Sequence, residues 1–281
     1  MSIHVDFDAA AWLQKVREQR PLVHNITNLV VTNIAANALL AIGASPVMAY
    51  ARQEVADMAR IAQGLSLNMG TLDEDVVESM LIAGRSANEA GVPVVFDPVG
   101  VGATPYRNEV AQKVMTELNL AVLRGNAGEI GVLLGAGGLV KGVDSSGANE
   151  NLGQAMAQYA KRHQSVVIAT GETDLVTDGE TLWSLHNGHP LLAAITGSGC
   201  MATALLGAFT GVAGKNAAPS DYALAAIAAL TCYNVAGELA AARAQGPGTF
   251  QADLFDALYH LDGDYVNERA SIQEEDVKGV S

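Results

Sequence analysis

Six short apolar runs, separated by helix-length stretches and closed by polar residues, constrain this chain more than any other feature. They begin near Leu22, Ser45, Leu65, Gly91, Leu120 and Ser165. Short apolar runs alternating with amphipathic helical spacing read as βα units, and successive βα units wind into a parallel sheet covered by helices on both faces. Helices are expected over about 8–20, 30–42, 53–63, 73–90, 107–118 and 150–163, then over 200–213, 221–243 and 250–262. Two strands at 174–177 and 181–185, joined through Asp178-Gly179, read as a small antiparallel hairpin. Residues 136–149 read as a glycine- and serine-rich loop, Gly246-Pro247-Gly248-Thr249 as a separator of helices, and the acidic tail after Glu268 as solvated. Sheets of this kind bind ligands at the carboxyl ends of their strands.

Composition supports one large α/β unit over residues 1–281, since no shift along the chain marks a second. Hydrophobic residues make up 49% and aromatics 5%, so the core must be built of Ala, Val, Leu and Ile. Thirty acidic against 16 basic residues give a net charge of -14, a field that repels nucleic acid and anionic membranes, and neither is an expected partner. A nucleotide stays open, because a few N–H groups and one arginine reverse the local potential. Cys200 and Cys232 show no CxxC spacing, which argues against zinc and disulfides and for a reducing cytoplasm. The start, with Asp6 and Asp8, lacks the basic and apolar regions of a signal peptide. Residues 222–242 contain Asn234, Gly237 and Glu238 and read as a buried helix rather than a membrane span.

The polar ends of the runs are the functional candidates. His24-Asn25-Ile26-Thr27-Asn28 could meet a ligand or cap the next helix. Asp97-Pro98 precedes the glycine-rich Val99–Pro105 segment; its carboxylate could serve magnesium or phosphate, or open a turn. Asn126 and Glu129 have capping-box spacing, which leaves Arg124 unexplained, and a fixed charge at a strand end suits phosphate. His186 and His189 read as loop contacts. Last, Thr196-Gly197-Ser198-Gly199-Cys200 runs into an alanine-rich helix, and a glycine-hinged turn at a helix N-terminus is an anion site. No GxxxxGK[ST] occurs, and no GxGxxG opens the first βα unit.

Taken together, Val23–Asn28, Gly43–Met48, Phe96–Ala103, Arg124–Ile130, Thr170–Asp174 and Thr196–Cys200 occur in an order that resembles the hydroxyethylthiazole kinase family over about residues 20–260. The resemblance implies a ribokinase-like α/β fold: a mostly parallel central sheet flanked by helices on both faces, with a small β-hairpin. It implies phosphorylation of the alcohol of 4-methyl-5-(2-hydroxyethyl)thiazole by ATP and Mg2+ in thiamine salvage. Met48 and Gly197 would contact the thiazole, with Asn25 near its pocket. Arg124 and Thr170 would contact ATP, with Asn126 grouped beside them, and Asp97 and Glu129 would hold magnesium and its waters. The resemblance further implies a homotrimer with active sites at subunit interfaces. In the wider superfamily the glycine turn ends in an aspartate that takes the alcohol proton; Cys200 stands there instead. The expected role of Cys200 is to assist, while the N–H groups of Gly197, Ser198, Gly199 and Cys200 stabilise the phosphoryl group. The alternatives are another small-alcohol kinase of this fold, such as a hydroxymethylpyrimidine kinase, and a silent nucleotide- or thiazole-binding protein. Cys200 and the His24–Asn28 segment argue against the first.

Overall fold

Each apolar run becomes a strand, and most of these strands end where the sequence turns polar. A computed structural model describes residues 7–136 and 146–275. The first part runs α1 (Ala9–Gln19), β1 (Leu22–Ile26), α2 (Thr32–Ile42), β2 (Ser45–Val47), α3 (Val55–Ile61), β3 (Gly64–Asn68), α4 (Glu74–Glu89), β4 (Val94–Asp97), α5 (Pro105–Glu117), β5 (Val122–Asn126) and α6 (Ala127–Leu134). It continues as α7 (Ser146–His163), β6 (Val166–Thr170), β7 (Asp174–Thr177), β8 (Leu182–Leu185), a 3-10 turn (Pro190–Ala194), α8 (Ser198–Ala213), α9 (Pro219–Ala241), α10 (Pro247–Tyr259), α11 (Gly263–Arg269) and β9 (Ile272–Glu275). Most of the loop expected at 136–149, the Asp6 end and the last residues of the tail lie outside the described residues.

One sheet of nine strands has the order β2-β1-β3-β4-β5-β6-β7-β8-β9; pairing is parallel from β2 to β6 and antiparallel from β6 to β9. Strand alternation divides the core into two layers. Val95, Val122, Val166 and Ile168 pack with apolar residues of α1, α2, α8, α9 and α10. Val94, Phe96, Leu123 and Val167 pack with α3, α4, α5 and α7 on the opposite face. The result is three layers, helices over both faces of a largely parallel sheet, as the alternation requires. The long apolar α9 has 83% of its most apolar window buried inside the chain.

Small residues bring α8 against the sheet almost backbone to backbone. A Cβ built on Gly64 would lie 2.2 Å from the Gly207 carbonyl oxygen, and one on Gly207 would lie 2.8 Å from Val23 Cγ1. Gly207 and Gly211 thus let the helix settle onto β1 and β3, where a side chain would hold it off.

Two segments do more than the sequence reading gave them. Gly246-Pro247-Gly248-Thr249 lies between α9 and α10 as read, and it also opens α10: Pro247 takes the first helical position, where no N–H is needed, and Thr249 Oγ1 accepts from the N–H of Gln245 and Gly246. The tail also does more than float. Gln273, Glu274 and Glu275 keep exposed side chains, but their backbone pairs with β8 as the outer strand, and charge on an edge strand discourages further pairing.

Candidate active site

Strand register assembles the site. Asn68 lies opposite Asp97 on β3 and β4, and Asn126 lies opposite Thr170 on β5 and β6, all at carboxyl ends. The start of α8 faces these ends across a cleft of about 470 Å³, lined among others by Asp97, Arg124, Asn126, Glu129, Thr170 and the Gly197–Cys200 turn.

The turn itself depends on its glycines. Gly197 is the N-cap of α8 with φ 79°, a left-handed conformation, and a Cβ there would sit 2.5 Å from Val31 Cγ1. A Cβ on Gly199 would lie 2.8 Å from Arg124 Nη1, so glycine is what lets the guanidinium approach the turn. Tyr233 on α9 donates its hydroxyl to the Ser198 carbonyl at 2.9 Å and ties the turn from behind. No side chain caps α8, so its first N–H groups are left to a ligand.

Asp97 is the hub. Its Oδ2 accepts from Thr203 Oγ1 at 2.7 Å and Asn68 Nδ2 at 2.9 Å, and pairs with Arg124 Nη1 at 3.4 Å. Its Oδ1 is buried without a hydrogen-bond partner. Burial lifts its carboxyl to about 6 despite the opposing pull of Arg124. Arg124, itself buried, donates from Nη2 to Thr170 Oγ1 at 2.6 Å. The fixed charge therefore bridges two strand ends within the cleft.

Asn126 and Glu129 form the capping box: Glu129 N–H donates to Asn126 Oδ1 at 2.9 Å, and Asn126 N–H to Glu129 Oε2 at 2.8 Å. The other oxygen, Glu129 Oε1, accepts from Gly100 N–H at 2.8 Å and anchors the glycine loop. Both residues nevertheless line the cleft, so capping and lining coexist.

Asn25 and Met48 are not brought to this cleft. Asn25 is fully buried and donates from Nδ2 to the Val23 carbonyl at 2.9 Å. Met48 is half-buried just beyond β2 and packs on the α8 side of the core. Nor do Asn25, Thr27 or Asn28 cap α2, whose N-cap is Val31 without a side-chain bond. Sequence reasoning missed Asn68, Thr203 and the inward role of Asn28. For Asn68 a signal was present, a lone amide ending the apolar run Leu65-Ser66-Leu67.

Three layers around a largely parallel sheet, with a glycine turn at an uncapped helix N-terminus facing acidic and basic strand ends, define a ribokinase-like phosphotransferase. Residues 13–264 match the model of the hydroxyethylthiazole kinase family, and the chain belongs to that family. A hydroxyethylthiazole kinase from Moorella thermoacetica is 57% identical over 251 residues, 89% of this chain and 92% of that one. The solved structure of a hydroxyethylthiazole kinase protein from Pyrococcus horikoshii OT3 is 41% identical, superposes with a TM-score of 0.85, and covers 95% of this chain and 99% of its own. A ribokinase-like superfamily protein from Enterococcus faecalis V583 shares the fold at 11% identity, with a TM-score of 0.59 over 96% of this chain and 92% of that one.

Proposed function

We propose that this chain transfers the γ-phosphoryl group of ATP to the primary alcohol of 4-methyl-5-(2-hydroxyethyl)thiazole, supplying a phosphorylated thiazole for thiamine formation. Family membership gives the reaction class. The observation that carries the reading is Asp97, Arg124 and the α8 N-terminus meeting in one cleft: a carboxylate, a fixed cation and free N–H donors, the set that phosphoryl transfer uses. ATP phosphates would lie over the Gly197–Cys200 turn, with Arg124, Thr170 and Asn126 on the nucleotide side.

The donor set fits magnesium arriving with the nucleotide. Mg2+ keeps several waters and takes one or two carboxylates plus phosphate oxygens. Asp97 offers one buried, unpartnered oxygen, while both Glu129 oxygens already accept backbone N–H bonds, so Asp97 would be the direct ligand and Glu129 would face its waters. Among the described residues no group of three or more His, Cys, Asp or Glu forms a cage of its own. When bound, magnesium neutralises charge on the phosphates.

In the transfer, the alcohol oxygen forms a new bond to the γ-phosphorus as the bond to the bridging oxygen breaks, and ADP leaves with that electron pair. The turn's N–H groups and Arg124 stabilise the equatorial oxygens, and Cys200 assists from the cleft wall while the alcohol proton passes, late in the transfer, to water. Burial and the Asp97 charge push the thiol up, so positioning outweighs early proton removal. Measuring ADP release with the thiazole alcohol, with and without Mg2+, tests the reading. Turnover is expected only when both are present. Turnover confined to a hydroxymethylpyrimidine would replace it with the related kinase activity, and binding without turnover would leave a silent binding protein.

A trimer is part of the same proposal. Asn25 and Met48 lie outside their own chain's cleft, and Leu29 and Val30, beside Asn28, are 78% and 67% exposed, which supports a second chain closing the thiazole side. The expected mass in solution is three times 29.1 kDa, and a monomer in sedimentation at assay concentration would overturn it. A single kinase unit and a reducing, cytoplasmic setting complete the proposal; both cysteines are free, which supports the latter.

A further inference from the structure

Cys200 is held by two amides from strand ends far away in sequence. Asn68 Nδ2 lies 3.2 Å and Asn28 Nδ2 3.4 Å from Cys200 Sγ. Neither amide is free to turn over. Asn68 Oδ1 accepts from Gly70 N–H at 3.0 Å and from Asn28 Nδ2 at 2.9 Å, and Asn28 Oδ1 accepts from Val30 N–H at 3.1 Å. Backbone N–H groups can only donate, so each amide must keep its oxygen toward the backbone and its nitrogen toward the sulfur. The space is equally specific: a Cβ on Gly70 would fall 2.6 Å from Asn28 Nδ2.

We propose that Asn28 and Asn68 are positioning residues for phosphoryl transfer, whose two side-chain N–H groups hold Cys200 Sγ at the cleft wall as a hydrogen-bond acceptor. The proposal rests on the phosphotransferase reading of the site. Because the amide donors occupy the sulfur's inner side, its open side is the one facing the cleft. Asn68 makes a second bond, to Asp97, so the same amide ties the sulfur to the carboxylate hub. Asn28 is the cleaner probe, since among the described residues it bonds Asn68, Cys200 and the local backbone.

Two measurements test this on the full chain. In the first, Asn28→Ala lowers kcat about tenfold while KM for either substrate moves less than about twofold; repeated on Cys200→Ala, the same change alters kcat by less than about twofold, because the residue through which it acts is gone. Equal losses in both backgrounds would mean a merely structural role and overturn the proposal. The second needs no turnover. Cys232 is fully buried, so iodoacetamide reports Cys200. Asn28→Asp keeps the size and the acceptor for Val30 N–H but exchanges the donor for an anion, and alkylation at pH 8 is expected to slow about tenfold. An equal or faster rate, the result of simple loosening, sinks the proposal. If the wild-type enzyme fails to phosphorylate the thiazole alcohol, the functional reading falls while the alkylation result still decides the cradle.

Discussion

An Asp97→Asn enzyme is expected to lose about three orders of magnitude in kcat while keeping its fold. The amide can still accept from Thr203 and Asn68, so the packing around β4 survives, but the charge that faces Arg124, and that would face magnesium in the proposed reaction, is gone. The pH profile follows from the same residue. Its carboxyl sits near 6 in the folded chain because burial disfavours the anion. In the proposed reaction the ionised form is the active one, so kcat/KM, which reports the free enzyme, should fall about tenfold per unit as pH drops below that value. Stability runs the other way. A folded-state value raised above the ordinary 3.8 means that the Asp97 contribution to stability is fully present below 3.8 and lost as pH rises through about 6. His24 opposes it: burial lowers its value below the ordinary 6.5, so the unfolded chain takes up that proton first and stability falls as pH drops below 6.5. A rate profile without an acid limb near 6, or an Asp97→Asn variant of near-normal turnover, would remove Asp97 from the chemistry.

Arg124→Ala carries the second large effect, a KM for ATP raised about a hundredfold. The guanidinium spans Asp97 and Thr170 from a buried position, and alanine leaves the carboxylate without its cation. The acid limb of the rate profile should then move upward from about 6, because the interaction that lowers the Asp97 carboxyl has been deleted. Lysine should restore little of the affinity, since a point charge cannot bridge two strand ends as the planar fork does. An unchanged KM for ATP would take Arg124 out of the nucleotide site.

What was legible in the sequence was whatever short-range physics controls. Apolar runs with polar ends gave the parallel strands, Asn126 and Glu129 declared their capping box by spacing, and two glycines around Ser198 marked a turn that α8 does use. Long-range pairing was not legible. Asn28 and Asn68 stand 172 and 132 residues from Cys200, and no local pattern says that β1 and β3 will deliver them to one sulfur. Asn28 looked like a cap because asparagine before a helix usually is one; here its oxygen closes a local turn and its nitrogen points inward. β9 escaped because acidic residues suit solvent, and only the exposed edge of β8 lets such a strand pair while its side chains stay wet. Thr203 was hidden inside an apolar helix, one turn after Gly199, where its hydroxyl reaches the Asp97 carboxylate.

The seating of α8 on the sheet has a mechanical meaning. With Gly64 against Gly207 and no side chain between them, the helix cannot slide or rock without driving backbone into backbone. It is the fixed jaw of a vice. Closure around bound substrates would then come from the other side of the cleft, while the N–H groups proposed to receive the phosphoryl oxygens stay where folding left them. Such a jaw requires no rearrangement at the instant of transfer, and slackening it by a fraction of an ångström at Gly207, far from any substrate, would blunt the grip at Cys200.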